Sequence, residues 1–138
     1  MDPITQQTVI AAAGAGGGDP VYVDDVFSTY LYTGTGSARS INNGIDFSGE
    51  GGMLWCKNRN SNGDHNVFDT INILQGPGQA LLPNGNHALS NYGTNSVTGF
   101  NNNGFSIGGS FINVNASGNT YASWSFRKAP GFFDVVTY

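Results

Sequence analysis

The pattern of apolar and polar residues predicts short β-strands through most of the chain. Alternation is clearest in Tyr121–Arg127, where Ala122, Trp124 and Phe126 share one face and the remaining positions take the other. Gly104–Ile107 alternates in the same way. Four more segments are rich in β-branched, aromatic or aliphatic residues, and we predict a strand in each: Val26–Tyr32, Met53–Lys57, Val67–Ile73 and Ala80–Leu82.

Turn signals separate these segments. Four Asn-Gly pairs predict tight turns because both residue types tolerate positive φ: Asn43-Gly44, Asn62-Gly63, Asn84-Gly85 and Asn103-Gly104. After residue 20 we find no segment with the pattern of a long helix. Many short strands with regular turn signals are typical of a sandwich or jelly roll, so the sequence predicts an all-β fold.

The first twenty residues differ in pattern from the rest of the chain. Asp2 and Pro3 suit the start of a helix, which the glycines from Gly14 onward would end. A helix this short is marginal in water, so an extended leader with a Gly-rich linker is the alternative. The apolar residues expected to attach this segment to a partner are Ile4, Val9, Ile10, Ala11, Ala12 and Ala13. We therefore predict an attachment segment over residues 1–20, a β-sandwich over 21–130, and the start of a further strand or repeat over 131–138.

Composition narrows the class of protein. Only 10% of the 138 residues are charged, against about 25% in ordinary soluble domains. The net charge of −4 and the five Lys and Arg residues argue against nucleic-acid binding. No apolar run reaches membrane-spanning length, so we expect no membrane partner. Cys56 is the single cysteine, and its apolar neighbours predict a small buried side chain in a strand.

Few residues could carry catalysis. His65 and His87 lie in polar segments without a partner at metal-ligand spacing. Glu50 is the single glutamate, and Asp24-Asp25 precede a predicted strand, where we expect a solvated strand entrance. We therefore predict no enzymatic activity and no cofactor.

One loop has the spacing of a calcium site. From Asn58 to Asp69, oxygen-bearing residues stand at the first, third and fifth positions, with Gly63 at the sixth. Asn replaces Asp at the early positions, however, and no helices flank the loop. We predict a hairpin loop around Asn62-Gly63 and no metal.

Several loops combine asparagines with an aromatic residue. Amides can bind sugar hydroxyls and aromatic faces can stack on sugar rings, while the alternative is that these loops are simply soluble turns. The candidate glycan contacts are Asn86, His87, Asn91, Tyr92, Asn101 and Asn102. Asn115-Ala116-Ser117 has the form of an N-glycosylation sequon, which we expect to be accidental.

Three stretches carry a family resemblance: FSGEGGMLWCKNRN, NNNGFSIGG and ASGNTYASWSFRKAPGFFDVVTY. Over residues 21–138 the sequence resembles virion proteins of marine tailed phages, cyanophages in particular. Those proteins carry concanavalin A-like, laminin-G-like domains and are assigned to tail fibres or other appendages. The resemblance implies a concanavalin A-like or jelly-roll β-sandwich and no catalytic residues.

The last residues, FFDVVTY, repeat the pattern of VFSTYLY near the start. Aligning Phe27 with Phe133 puts Tyr32 opposite Tyr138. In the family that the chain resembles, this stretch is typically followed by Thr-Gly and a further domain. We therefore expect the native chain to continue past Tyr138.

The functional expectation is a phage virion protein, the virion-proximal part of a tail fibre. It would be assembled in the host cytoplasm, lie in the virion tail, bind an adaptor, nozzle or baseplate-type protein, and present distal host-recognition domains. We expect a homo-oligomer and favour a trimer, because phage fibres are commonly trimeric. The alternatives are a lectin-like module for host surface glycans and a capsid decoration protein.

Overall fold

The computed structural model describes residues 20–136, and their regular structure is almost entirely β. The strands are β1 (Phe27–Thr33), β2 (Arg39–Asn42), β3 (Gly52–Asn58), β4 (Asn66–Asp69), β5 (Gln79–Ala80), β6 (Ser90–Asn91), β7 (Val97–Asn101), β8 (Gly104–Ile107) and β9 (Thr120–Arg127). One helical turn, α1 (Val23–Val26), precedes β1, and short 3₁₀ helices lie at Asn72–Gln75 and Gly93–Asn95. The predicted all-β class is confirmed.

The strands form two larger antiparallel sheets, with orders β1-β9-β3-β4 and β2-β8-β7, and β5 pairs with β6. The inner faces of both larger sheets contribute to one hydrophobic core. The four-stranded sheet supplies Tyr32, Leu54, Cys56, Phe68 and Tyr121, and the three-stranded sheet supplies Ile41, Val97, Phe105 and Ile107. The two sheets are therefore two layers around a single core.

β9 turns its small polar side chains toward the core. Ser123 and Ser125 are fully buried, whereas Trp124 and Phe126 on the opposite face are partly exposed. Ser125 Oγ accepts a hydrogen bond of 2.7 Å from Nδ2 of Asn43, beside β2. The buried hydroxyl is thus satisfied in a link between the two layers, and the larger apolar residues of β9 face outward.

Four predicted strands are confirmed to within one residue at each end: Val26–Tyr32, Met53–Lys57, Gly104–Ile107 and Tyr121–Arg127. The predicted strand Val67–Ile73 is wrong in its second half, because β4 ends at Asp69. Asp69 Oδ1 accepts the backbone N–H groups of Ile71 (2.9 Å) and Asn72 (2.7 Å). This side-chain bonding turns the chain into a 3₁₀ helix in place of a longer strand.

The predicted strand Ala80–Leu82 is largely replaced by the two-residue strand β5. Beyond it, Leu81 forms an isolated bridge with Val67, exchanging two backbone hydrogen bonds of 2.9 Å. Pro83 follows two residues later and has no N–H group with which to extend the pairing. The segment therefore stays short.

The predicted turn at Asn103-Gly104 lies one residue earlier in the structure. β7 and β8 form a hairpin in which Asn101 pairs with Gly104, so Asn102 and Asn103 occupy the turn. Gly104 has φ 135°, and a Cβ atom there would collide with the carbonyl oxygen of Ile41 on β2. Glycine is needed at this position for the close approach of β2.

Buried side chains hold the loop between β8 and β9. Asn115 Nδ2 donates to the carbonyls of Ser37 (2.9 Å) and Gly108 (2.8 Å), and its Oδ1 accepts from the N–H of Thr35 (3.0 Å). Because its side chain is fully buried, Asn115 cannot carry a glycan in the folded protein.

The structure describes little of the predicted attachment segment, residues 1–20, and most of the predicted segment 131–138. The six predicted anchor residues, Ile4, Val9, Ile10, Ala11, Ala12 and Ala13, lie outside the described residues. Of the predicted segment 131–138, the described part begins with a turn in which Phe133 exchanges hydrogen bonds of 3.0 and 3.2 Å with Ala129. A further strand or repeat stays a prediction. Between residues 20 and 136, no helix is long and apolar enough to cross a membrane.

Candidate functional site

The outer face of the four-stranded sheet carries a cluster of partly exposed large side chains. We call it the aromatic surface, and it consists of Phe27, Met53, Trp55, Trp124, Phe126 and Phe133. The antiparallel register places Phe27, Phe126 and Met53 side by side across three strands. Trp124 and Trp55 stand opposite each other in the next row. Strand pairing therefore assembles the surface from residues that are far apart in sequence.

The rings of the aromatic surface contact one another. Trp55 and Trp124 are T-shaped, with centroids 6.1 Å apart and an interplanar angle of 67°. Phe126 lies 5.1 Å from Phe27 and 5.4 Å from Phe133, measured between ring centroids. Such edge and tilted arrangements are the favoured geometries of aromatic pairs. The surface is consequently held in place while part of each ring still faces solvent.

A hydrogen bond fixes the outer end of the tryptophan pair. Trp55 Nε1 donates to His65 Nδ1 at 3.0 Å, so Nδ1 of His65 is an acceptor. The backbone N–H of His65 donates to Asn84 Oδ1 (3.1 Å), and Asn84 Nδ2 donates to Asp64 Oδ1 (3.0 Å). These contacts give His65 and its loop a structural role next to the aromatic surface.

A cleft of about 480 Å³ adjoins the aromatic surface at Phe133. We call it the hairpin cleft, after the tight turn that Ala129 and Phe133 close by pairing. It is lined by Glu50, Lys128, Ala129, Pro130, Gly131, Phe132, Phe133 and Asp134. Lys128 Nζ lies 2.9 Å from Asp134 Oδ1, and this hydrogen bond is the main reason that the pKa of Asp134 is lowered. The cleft thus combines aromatic rings with paired charges, a mixture suited to a ligand that has both an apolar face and hydroxyl groups.

The six predicted glycan contacts divide between two places. Four of them, Asn86, His87, Asn91 and Tyr92, lie in or beside β6. The N–H of Tyr92 donates to the carbonyl of Gly78, whose own N–H donates to the carbonyl of Val97 at the start of β7. The other two, Asn101 and Asn102, lie at the far end of β7. The structure therefore does not bring the six together in one site.

Two asparagines expected in ligand contacts, Asn91 and Asn101, hold loops by their side chains. The Oδ1 atoms of Asn91 and Asn101 accept the backbone N–H groups of Gly93 (2.8 Å) and Asn103 (3.0 Å). Tyr92 packs its ring on Phe111, with centroids 4.3 Å apart. An asparagine two residues before its bonded N–H is an Asx turn, so the Asn-rich sequence was already a turn signal.

The calcium-like spacing does not produce a calcium geometry. Asn58 ends β3, whereas Asp69 pairs with Met53 near the opposite end of the same hairpin. Asn58 Oδ1 instead accepts the N–H groups of Asn60 and Ser61, both at 3.1 Å. The predicted hairpin is confirmed. Among residues 20–136, no group of three or more His, Cys, Asp or Glu side chains could hold a metal ion.

The three acidic residues considered for catalysis, Asp24, Asp25 and Glu50, are all exposed. Asp24 and Asp25 are exposed in α1 immediately before β1, and Asp25 Oδ2 accepts the N–H of Tyr22 at 3.1 Å. This is the strand entrance expected for them. Glu50 is exposed and lines the hairpin cleft.

The fold and its surface define an all-β protein with a cluster of partly exposed aromatic side chains on the outer face of its larger sheet. Residues 23–133 match the model of the family described as Domain of unknown function (DUF7483), and the chain belongs to this family. The match includes all nine strands and the whole aromatic surface. No curated protein matches the chain, and no solved structure matches it.

Proposed function

We propose that the chain is a structural module of a phage virion appendage, the virion-proximal part of a tail fibre, and that its aromatic surface packs against a neighbouring virion protein. The aromatic surface is the observation that supports this proposal. Protein interfaces are enriched in aromatic residues and Met and depleted in Lys and Glu. Trp124, Trp55 and Met53 are preassembled by the sheet, so docking would cost little side-chain ordering.

We also propose that the two layers are a concanavalin A-like sandwich. The antiparallel pairing of both larger sheets and their shared core support this finer description. In this proposal residues 1–20 attach the fibre, and distal domains bind the host.

The test is incorporation of variants into phage particles. We expect Trp124→Lys to lower the amount of the protein in purified particles, because a charge at the centre of the aromatic surface would be buried without a partner. Leu74→Lys is the matched control, since Leu74 is 84% exposed on a 3₁₀ helix and does not belong to the aromatic surface. Normal incorporation of a folded Trp124→Lys variant, verified by its melting curve, would contradict the proposal. Imaging that placed the chain on the head would favour capsid decoration instead.

A carbohydrate-binding role is the second candidate, and the hairpin cleft supports it. Phe132 offers an aromatic face, while Glu50, Lys128 and Asp134 offer hydrogen-bonding groups within the same cleft. A glycan array probed with the chain would test this role. Binding that is lost in Phe132→Ala and kept in Asn102→Ala would assign it to the cleft, and the absence of any binding would exclude it.

A further inference from the structure

β1 is an accessible edge strand. It lies at the end of the order β1-β9-β3-β4, and among the described residues it pairs with β9 alone. Natural sheets protect long edges with charged residues, prolines or bulges. β1 has none of these in its seven residues, and its neighbouring side chains Tyr30 and Leu31 are 37% and 57% exposed. The edge is therefore open to another strand.

The hydrogen bonds of β1 identify the backbone groups that point outward. The N–H of Gly34 donates to the carbonyl of Asn119 at 2.8 Å, in the register of the β1–β9 pair. Hydrogen-bonded and non-hydrogen-bonded positions alternate along an antiparallel pair. The even-numbered residues of β1 consequently point toward β9, and Phe27, Thr29, Leu31 and Thr33 point to the open edge.

Two of the outward groups already have partners within the chain. The N–H of Phe27 donates to the carbonyl of Val23, and the carbonyl of Thr33 accepts from the guanidinium of Arg39. Within residues 20–136, the outward groups that remain are both groups of Thr29 and Leu31, the carbonyl of Phe27 and the N–H of Thr33.

We propose that β1 pairs antiparallel with β1 of a second copy of the chain, around a two-fold axis at Tyr30. In this register Thr29 lies opposite Leu31 of the second copy, and Phe27 lies opposite Thr33. In this register the Phe27 N–H of one copy would face the Thr33 carbonyl of the other. Both of these groups already have partners within their own chain. Every remaining outward group therefore finds a partner, and six intermolecular hydrogen bonds form without leaving an unmatched donor or acceptor.

Side-chain exposure favours the same arrangement. Tyr30 of one copy would lie beside Tyr30 of the other, and Leu31 would pack against Thr29 across the axis. Two of the exposed apolar side chains would be covered, and two four-stranded sheets would join into one. A two-fold contact closes at two copies, so it yields a dimer and not the trimer favoured from the resemblance. This inference does not depend on a virion role.

A cysteine cross-link tests the register. Positions 30 of the two copies would form a non-hydrogen-bonded pair with Cα atoms about 4.5 Å apart, which is within disulfide range. We expect full-length Tyr30→Cys to form a disulfide-linked dimer under mild oxidation. Leu74→Cys is the control: Leu74 is more exposed than Tyr30 (84% against 37%) but lies outside β1, so this variant should cross-link far less. Native Cys56 is fully buried and should not interfere. Equal cross-linking of the two variants would overturn the proposed register.

Sedimentation of the uncrosslinked chain tests the contact itself. We expect a reversible, concentration-dependent dimer, because an edge contact of this size is at the small end of protein interfaces. Leu31→Lys should shift it to monomer, and Leu74→Lys should not. A wild-type chain that is monomeric at all concentrations, or a trimer indifferent to Leu31→Lys, would overturn the proposal. Dimerisation only after deletion of residues 1–19 would mean that these residues occupy the edge instead.

Discussion

At the residue scale, the core contains two adjacent ionisable groups that burial keeps neutral. Burial raises the pKa of the Cys56 thiol to about 12. It also raises the pKa of Tyr32 well above its ordinary value, with a further contribution from nearby Cys56. Tyr32 OH donates to the carbonyl of Val114 at 2.9 Å, so its hydroxyl has a partner in the protonated form. Both groups are therefore protonated in the folded protein at neutral pH.

This arrangement predicts a loss of stability in alkaline solution. The folded-state pKa of Cys56 is raised, so its contribution to stability is complete below the unfolded-state pKa and declines as the pH rises toward about 12. An unfolded thiol ionises near pH 8.5, and each further pH unit is worth about 1.4 kcal/mol. Urea unfolding should therefore give a free energy about 2 kcal/mol lower at pH 10 than at pH 8 from this group. Cys56→Ala should flatten that decline. An identical pH dependence in wild type and variant would refute the assignment.

At the element scale, strands bounded by glycines and built on clear alternation could be predicted, and strands defined by pairing could not. Gly104–Ile107 was predicted with the observed bounds. β6 has only two residues and exists because it pairs with β5. β4 was predicted too long because propensity does not reveal that the Asp69 side chain will accept the next backbone N–H groups. The side chain of Asp69 thus sets the end of β4, whereas β6 depends on its partner strand.

The hydroxyl of Tyr121 also fixes backbone structure, because it bonds to two backbone groups of the loop that precedes β9. It donates to the carbonyl of Ile112 and accepts from the N–H of Ala116, both at 2.8 Å. We expect Tyr121→Phe to lower the free energy of unfolding by about 1–3 kcal/mol, because both backbone groups lose their partner. Tyr30→Phe is the control: Tyr30 belongs to the edge strand β1 and is 37% exposed, so the change should be within about 0.5 kcal/mol. Chemical denaturation measures both, and equal stabilities for the two variants would contradict this role.

At the scale of the whole molecule, the candidate site was predicted less well from the sequence than the fold was. Alternation placed Trp124 and Phe126 on one face of β9, but it could not tell which face meets the core. The small side chains of Ser123 and Ser125 point inward and bond to polar partners, which leaves the tryptophan outside. The hairpin cleft joins Glu50 to a segment almost eighty residues later, and only strand pairing brings them together.

The aromatic surface and the β1 edge make separable predictions for the assembled protein. If a neighbouring virion protein covers the aromatic surface, hydroxyl-radical labelling of Trp124 and Met53 should be several-fold weaker in particles than in the isolated chain at a concentration that keeps it monomeric. Leu74, 84% exposed and remote from both surfaces, should be labelled equally in the two samples. The edge contact predicts protection of Tyr30 in any dimer, with or without particles. Protection of Tyr30 alone would retain self-association and remove the aromatic surface as a docking face. Protection of Trp124 alone would do the reverse, because the side chains of Tyr30 and Trp124 point to opposite faces of the sheet.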